Sequence, residues 1–281
     1  MLWNITVRNL KLFFRDKTAV FFSLLAVFII IGLYVLFLGN MLTTGSDWLG
    51  DGARFIMDSW IMAGLLAVTS LTTTMGAYGI MIEDRTKKVL KDFTASPVRR
   101  SVLVGGYVTS AFIIGVIMSV ITFILAEVYI VVYGGSFMDA AGMLRVFGCI
   151  LLSVLASSAM VFFLVSFFKS NNAFATASTI IGTLVGFLTG IYIPIGSLPA
   201  SVQAVVRVFP VSHAGALMRQ IMMEAPLKAA NLVSEAEEGF RLSLGVNYKF
   251  GDTILPAWGS VLILLATAAL FYALAILNIS R

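Results

Sequence analysis

The sequence predicts an all-α integral membrane protein with six transmembrane helices, and three observations carry this. The 281 residues are 59% hydrophobic and 12% charged, with a mean hydropathy of +0.99, whereas an ordinary domain is roughly 45–50% apolar and roughly 25% charged. The apolar residues gather in runs of span length, since a helix rising about 1.5 Å per residue needs about 20 residues to cross a hydrocarbon core of about 30 Å. The runs are continuous and do not alternate, which selects helices over barrel strands.

Taken in order, the chain opens with an expected amphipathic helix. Trp3, Val7, Leu10 and Phe14 recur at spacings of four, three and four, which is one helical face, and Arg8, Lys11 and Arg15 fall largely off it. Tryptophan with bases suits a membrane interface, as an anchor or as a coupling element. The spans follow at about 19–38, 59–82, 102–132, 143–168, 173–193 and 255–277. The first is read as a retained span, because no A-x-A-like cleavage site follows it. Between the last two spans lies the segment 194–254. Within it "SVQAVVRVF" and "SHAGALMRQIMM" read as short helices apolar on one face, re-entrant or interfacial, and "KAANLVSEAEEGFRLSLGVNYKFGD" reads as exposed.

Orientation follows from the bases. Arg8, Lys11, Arg15 and Lys17 precede the first span, six more bases lie between spans two and three, and Lys169 and Arg281 complete one side. The opposite loops are poor in bases, so both termini are expected in the cytoplasm. The net charge of +5 therefore sits beside membrane and is no sign of nucleic-acid binding. Cys149 is the single cysteine, which excludes an intrachain disulfide and a cysteine metal cluster.

The stretch from Glu83 to Arg100, "EDRTKKVLKDFTASPVRR", holds nine charged residues in eighteen. It reads as a short helix. Glu83 and Asp84 come first, Arg85, Lys87, Lys88 and Lys91 follow, Val89, Leu90 and Phe93 give an apolar patch, and Pro97 stops the helix before Arg99 and Arg100. A loop that only sets topology would need the bases alone; the acids, the patch and the stop suit a docking surface.

Motifs for chemistry are missing. There is no G-x-x-x-x-G-K-[ST], no H-E-x-x-H and no G-x-S-x-G, so no enzyme activity and no metal or cofactor in this chain is expected. His213, the one histidine, stands just after Pro210 and reads as a helix-start residue. Glu127 and Arg145 are the ionisable residues inside expected spans, near the ends. Glu127 is a candidate pathway or coupling residue. Gly182, Gly186 and Gly190 recur every fourth residue with Ser178, Thr179, Thr183 and Thr189 nearby, a strip for close helix packing within the chain or against a second subunit.

Two stretches bear a resemblance to a known family. "EDRTKKVLKDFTASPVRRSVLVGGYV" resembles the E-x-x-x-G-T-x-x-x-L-x-x-x-P-[VI]-x-R stretch of ABC-2 type transporter permeases, with Glu83, Leu90, Pro97, Val98 and Arg100 carrying the match and Lys88 near the usual Gly-Thr. "GIYIPIGSLPASVQAVVRVFPVSHAGALMRQIM" is similar to the family's segment after span five, with Pro194, Leu198, Pro199 and Pro210. The resemblance, in the drug-exporter branch, implies one transmembrane domain over residues 1–281. It implies two permeases, as a homodimer or heterodimer, with two copies of a separate ATPase that holds the ATP and Mg. It makes Glu83, Asp84, Arg85, Lys88, Leu90, Phe93, Pro97 and Arg100 the ATPase-coupling surface. Pro194, Leu198, Pro199, Pro210 and His213 become the external gate, and Thr179 and Thr183 face a central route. The expected activity is export of a hydrophobic or amphipathic compound (drug, lipid or peptide) across a bacterial plasma membrane. An ion-coupled transporter, or a membrane anchor or sensor without transport, are the alternatives.

Overall fold

The computed structural model describes residues 1–38, 52–89, 99–230 and 234–280. Helix α1 is Leu2–Arg15 and α2 is Lys17–Leu33, continuing as a wider π turn over Tyr34–Leu38. Asp16 breaks the chain between them, and its carboxylate accepts the Ala19 N–H at 2.9 Å, an N-cap that starts α2. The long helices are α3 (Ala53–Thr86), α4 (Arg100–Val132), α5 (Ala140–Phe167), α6 (Asn171–Leu188) and, last, α11 (Ala257–Ser280). Between α6 and α11 come α7 (Ala200–Val208), α8 (Pro210–Met222), α9 (Glu224–Ala230), α10 (Ser234–Ser243) and a hairpin of β1 (Lys249–Phe250) with β2 (Thr253–Ile254).

Among the described residues five helices are long and apolar enough to cross a membrane: 17–36, α3, α4, α5 and a last one within α11. The expected span 173–193 is not among them. Its helix α6 has 18 residues, opens on Asn171 and Asn172, and carries Thr176, Ser178, Thr179 and Thr183. It ends early for a local reason. Gly190 adopts φ 71°, its N–H bonds the Phe187 carbonyl at 3.1 Å, and the Ile191 N–H reaches back to the Gly186 carbonyl at 3.0 Å. This is a Schellman end, which needs a residue without a side chain at the left-handed position.

Helix α3 is the axis of the bundle. Its 34 residues span about 50 Å, well beyond the hydrocarbon core, so it extends past the expected 59–82 at both ends. The extra turn at its start carries Arg54 and Asp58, an i,i+4 pair with Nε 3.5 Å from the carboxylate. Of its apolar window, 89% is buried inside the chain, against 22% to 61% for the other four helices. A helix so covered can carry polar residues if their hydroxyls are satisfied locally. Thr69, Ser70, Thr73 and Thr74 are fully buried, and each hydroxyl bonds a carbonyl one turn back, at 2.7 to 2.9 Å. Small residues on the neighbours let them close in: a Cβ on Gly115 of α4 would lie 2.7 Å from Thr74 of α3 and from Val154 of α5.

The helical segments at 200–208 and 210–222 agree with the sequence reading, but α8 does not lie on the surface. Val211 to Arg219 are all buried, packed into α3, α5 and α11. The stretch expected to be exposed is also partly inside, since Leu244, Val246 and Tyr248 are buried. Helix α1 differs as well. Its packed face is Ile5, Thr6, Asn9 and Phe13, while Trp3 and Phe14 of the apolar stripe are exposed. At 100° per residue that stripe lies about a third of a turn from the protein-facing side, which leaves it for lipid.

Candidate functional site

Two polar assemblies mark the two ends of the bundle. At the basic end, α1, α3, α4, α5, α6 and α11 meet. Glu83 to Thr86 are the last turn of α3, not the first turn of a new helix, and the chain breaks at Lys88 with φ 62°. This corrects the sequence reading of a separate helix beginning at Glu83. The acids therefore sit at a helix C-terminus, where the macrodipole disfavours them, and each is held by a base. Asp84 is 7% exposed, and Arg8 of α1 grips both its oxygens, at 2.6 and 2.9 Å. The Tyr107 hydroxyl of α4 donates to the same carboxylate at 2.6 Å. Asp84 holds the Arg8 guanidinium above its ordinary range through that hydrogen bond, despite partial burial. Asn9 extends the network by donating to the Ser110 hydroxyl at 3.2 Å. Lys87 pairs with exposed Glu83 one turn back.

Arg85 turns the other way. Its guanidinium donates to the Val165 and Phe168 carbonyls at the C-terminus of α5, adding to the Phe168 N–H that the Val165 carbonyl already accepts. Of the expected coupling residues, Asp84 and Arg85 are thus tied inside the bundle, and Glu83 and Arg100 are exposed. Leu90, Phe93 and Pro97 lie outside the described residues.

At the opposite end the organiser is Arg219 of α8, which sequence reasoning missed. It is fully buried. Its guanidinium donates to the Thr189 carbonyl at 2.8 Å, and at 3.4 and 3.5 Å to those of Trp60 and Gly245. It also lies 5.1 Å from the Trp60 ring. Burial pushes Arg219 down to about 10, which leaves it charged at neutral pH. The Thr189 carbonyl belongs to the Schellman end of α6, so a cation meets the negative pole of that helix. Space for it comes from Gly64, where a Cβ would sit 2.8 Å from Nη2 and 2.7 Å from Ile191. A signal was available in "SHAGALMRQIMM": with His213 neutral, Arg219 is the one charge on its helix.

The external-gate candidates turn out to start helices. Pro194 precedes the short 3-10 turn Ile195–Ser197, Pro199 caps α7, and Pro210 is the first residue of α8. Leu198 packs beside the small cluster of Ile195, Val206, Ala216 and Tyr248. His213 is buried, with Nε2 2.8 Å from the Arg207 carbonyl and Nδ1 3.1 Å from the Ser260 hydroxyl. The carbonyl requires Nε2–H, and in the neutral ring Nδ1 then accepts from the Ser260 hydroxyl. Burial pushes its pKa below the usual value.

The three glycines do three different things. A side chain on Gly182 would meet nothing, one on Gly186 would run into the Tyr192 ring, and Gly190 is the left-handed turn. Thr179 and Thr183 are exposed on α6 with their hydroxyls bonded to carbonyls one turn back, at 3.1 and 2.9 Å. Glu127 is buried, and its Oε2 accepts the Met138 N–H at 3.1 Å. Arg145 pairs at the surface with Glu224 of α9 at 2.9 Å, and Lys228 joins the same carboxylate at 2.7 Å. Those two bases, Lys228 first, hold Glu224 below the ordinary carboxylate range.

A bundle of long apolar helices, closed by polar networks at its two ends, is that of a multi-pass membrane protein. The family model described as "ABC-2 family transporter protein" matches residues 53–277, and the chain belongs to that family. It is therefore an ABC-2 type permease, a membrane transport component of a kind that works with ABC ATPase subunits. No curated protein matches the chain.

Proposed function

We propose that the chain is the permease subunit of an ATP-driven exporter in a bacterial cell membrane. It spans the bilayer six times with both termini in the cytoplasm, and α6 serves as the fifth span. Two permeases and two ATPase subunits form the working unit, and ATP with Mg binds in the ATPase. The cargo is a hydrophobic or amphipathic compound (drug, lipid or peptide).

One observation carries this reading: Arg8, Asp84, Tyr107 and Arg85 bind α1, α3, α4 and α5 into one unit where α3 enters the charged segment. A push on that segment would then move four helices together. Exposed Glu83 and Arg100, with Lys88, Leu90, Phe93 and Pro97, form the surface that takes the push. The exposed face of α6 supports a second permease lying against it, because the hydroxyls of Thr176, Thr179 and Thr183 are already satisfied and Ile180, Leu184 and Phe187 offer apolar surface beside them. Between two such faces lies the route for the cargo. Glu127 holds a loop N–H, which favours the exporter reading over an ion-coupled one.

The test is copurification of the chain with its ATPase, followed by transport in proteoliposomes. Phe93→Ala and Glu83→Ala should leave membrane insertion intact while separating ATP hydrolysis from cargo movement. Transport by the chain alone, or unchanged coupling in both variants, would overturn the proposal.

A further inference from the structure

At the end of the bundle opposite the basic one, a cleft of about 310 Å³ opens between α3, α4, α5 and the α8–α9 corner. Its volume is at the lower end for small-molecule sites. Phe55, Ile130, Phe137, Ile221 and Met222 give it apolar walls. Its charges are unevenly matched. Arg145 and Lys228 are both spent on Glu224. Asp139 uses an oxygen to cap α5 at the Gly142 N–H, 3.1 Å away. Glu127 has one backbone N–H and no cationic partner among the described residues. Ser59, 1% exposed and lining the same cleft, has a hydroxyl with no hydrogen-bond partner among the described residues. A buried carboxylate without a cation and a buried hydroxyl without a partner line this one cleft, which leaves it short of one positively charged donor among the described residues.

We propose that this cleft binds a primary ammonium group carried on an apolar body, with Glu127 and Ser59 as its acceptors. An ammonium has donors for both, and Glu127 supplies the counter-charge that a neutral alcohol would not use. The apolar walls take the rest of the ligand. The ion pairs of Arg145 and Lys228 with Glu224 keep those bases from competing for Glu127. The same chemistry is offered by a free amine and by the ethanolamine head of a lipid. The site lies within one chain, so it stands whether or not the chain is an exporter.

The test uses the full chain in phosphatidylcholine nanodiscs, with 4-phenylbutylamine and 4-phenylbutanol as probes, and reads binding by isothermal titration. The amine should bind saturably and about tenfold more tightly than the alcohol. Glu127→Gln should remove that preference while leaving alcohol binding unchanged; the amide oxygen still accepts the Met138 N–H, so the loop stays in place. Ser59→Ala, which leaves Glu127 untouched, should weaken the amine several-fold and the alcohol less. Repeating the titration in discs containing phosphatidylethanolamine separates the two sources. Competition assigns the site to the lipid head, its absence assigns it to a free amine, and either supports the proposal. Equal binding of amine and alcohol, or an amine preference that survives Glu127→Gln, would overturn it.

Discussion

Removing Arg8 should loosen the base of the bundle by a measurable amount. The Arg8→Ala chain keeps Asp84 buried, 7% exposed, with the Tyr107 hydroxyl as its remaining partner. Breaking a fully buried pair costs about 3–5 kcal/mol. Arg8 is itself 33% exposed, so water reaches this pair from one side, and the expected loss falls to about 2 kcal/mol. At roughly 2–4 °C per kcal/mol, the midpoint of thermal unfolding should fall by about 4–8 °C. Asp84→Asn should cost a similar amount by removing the same charge pair. The double variant then decides the matter. Because both single changes abolish one interaction, their combined loss should fall short of the sum by about 2 kcal/mol. Strict additivity would refute the claim that this contact fastens α1 to α3, and α1 would have to be held by its apolar face alone.

Three further outcomes are expected. Arg219→Met leaves the Thr189 and Gly245 carbonyls without their donor and should cost about 3 kcal/mol in thermal unfolding; Gly64→Ala should destabilise in the same direction, because its Cβ would displace Arg219 and Ile191. Burial holds the His213 pKa below its ordinary value of 6.5, so the unfolded chain takes up its proton first on acidification. Stability should be full above about pH 6.5 and decline below it, and His213→Gln should flatten that slope in unfolding measured from pH 5 to 8. Gly186→Leu should impair folding through the Tyr192 ring, whereas Gly182→Leu should leave the fold intact and alter only association of two permeases, read by crosslinking in the membrane.

How much of this was legible depended on whether the signal was local. The long apolar runs gave α2, α3, α4, α5 and α11, because a membrane span is defined by its own composition. The early stop of α6 was visible as a glycine but read as part of a packing strip. Only the chain direction after Gly190 separates the two uses. The end of α3 was misread for a related reason. Glu83 and Asp84 resemble an acidic first turn, and the bonds that make them tolerable in a last turn come from Arg8, 76 positions away from Asp84, and from Lys87. Arg219 was overlooked because its partners are backbone carbonyls of residues 159, 30 and 26 positions distant, and carbonyls leave no mark on a sequence. The cleft around Glu127 was half visible: its carboxylate stood out in an apolar run, but Ser59 joins it only through the fold.

The two polar assemblies share a design that bears on how the chain could move. Each uses an arginine to occupy carbonyls at the end of a neighbouring helix, Arg85 at α5 and Arg219 at α6. Such contacts fix helix ends to α3 without adding to the apolar surface between helices. In lipid, apolar surface between helices gives little preference for one arrangement over another, since the tails are as apolar as leucine. Directional bonds at the two ends therefore set the position of α5 and α6 against α3, and in the middle of α3 Tyr78 meets Ser158 of α5 at 3.0 Å and Ser70 meets Ser119 of α4 at 3.4 Å, so α3, α4 and α5 are held together along their length. A displacement applied at Glu83 would then carry α4 and α5 along with α3, reach Trp60 at the other end, and reach α6 through Arg219, which bonds the Trp60 and Thr189 carbonyls.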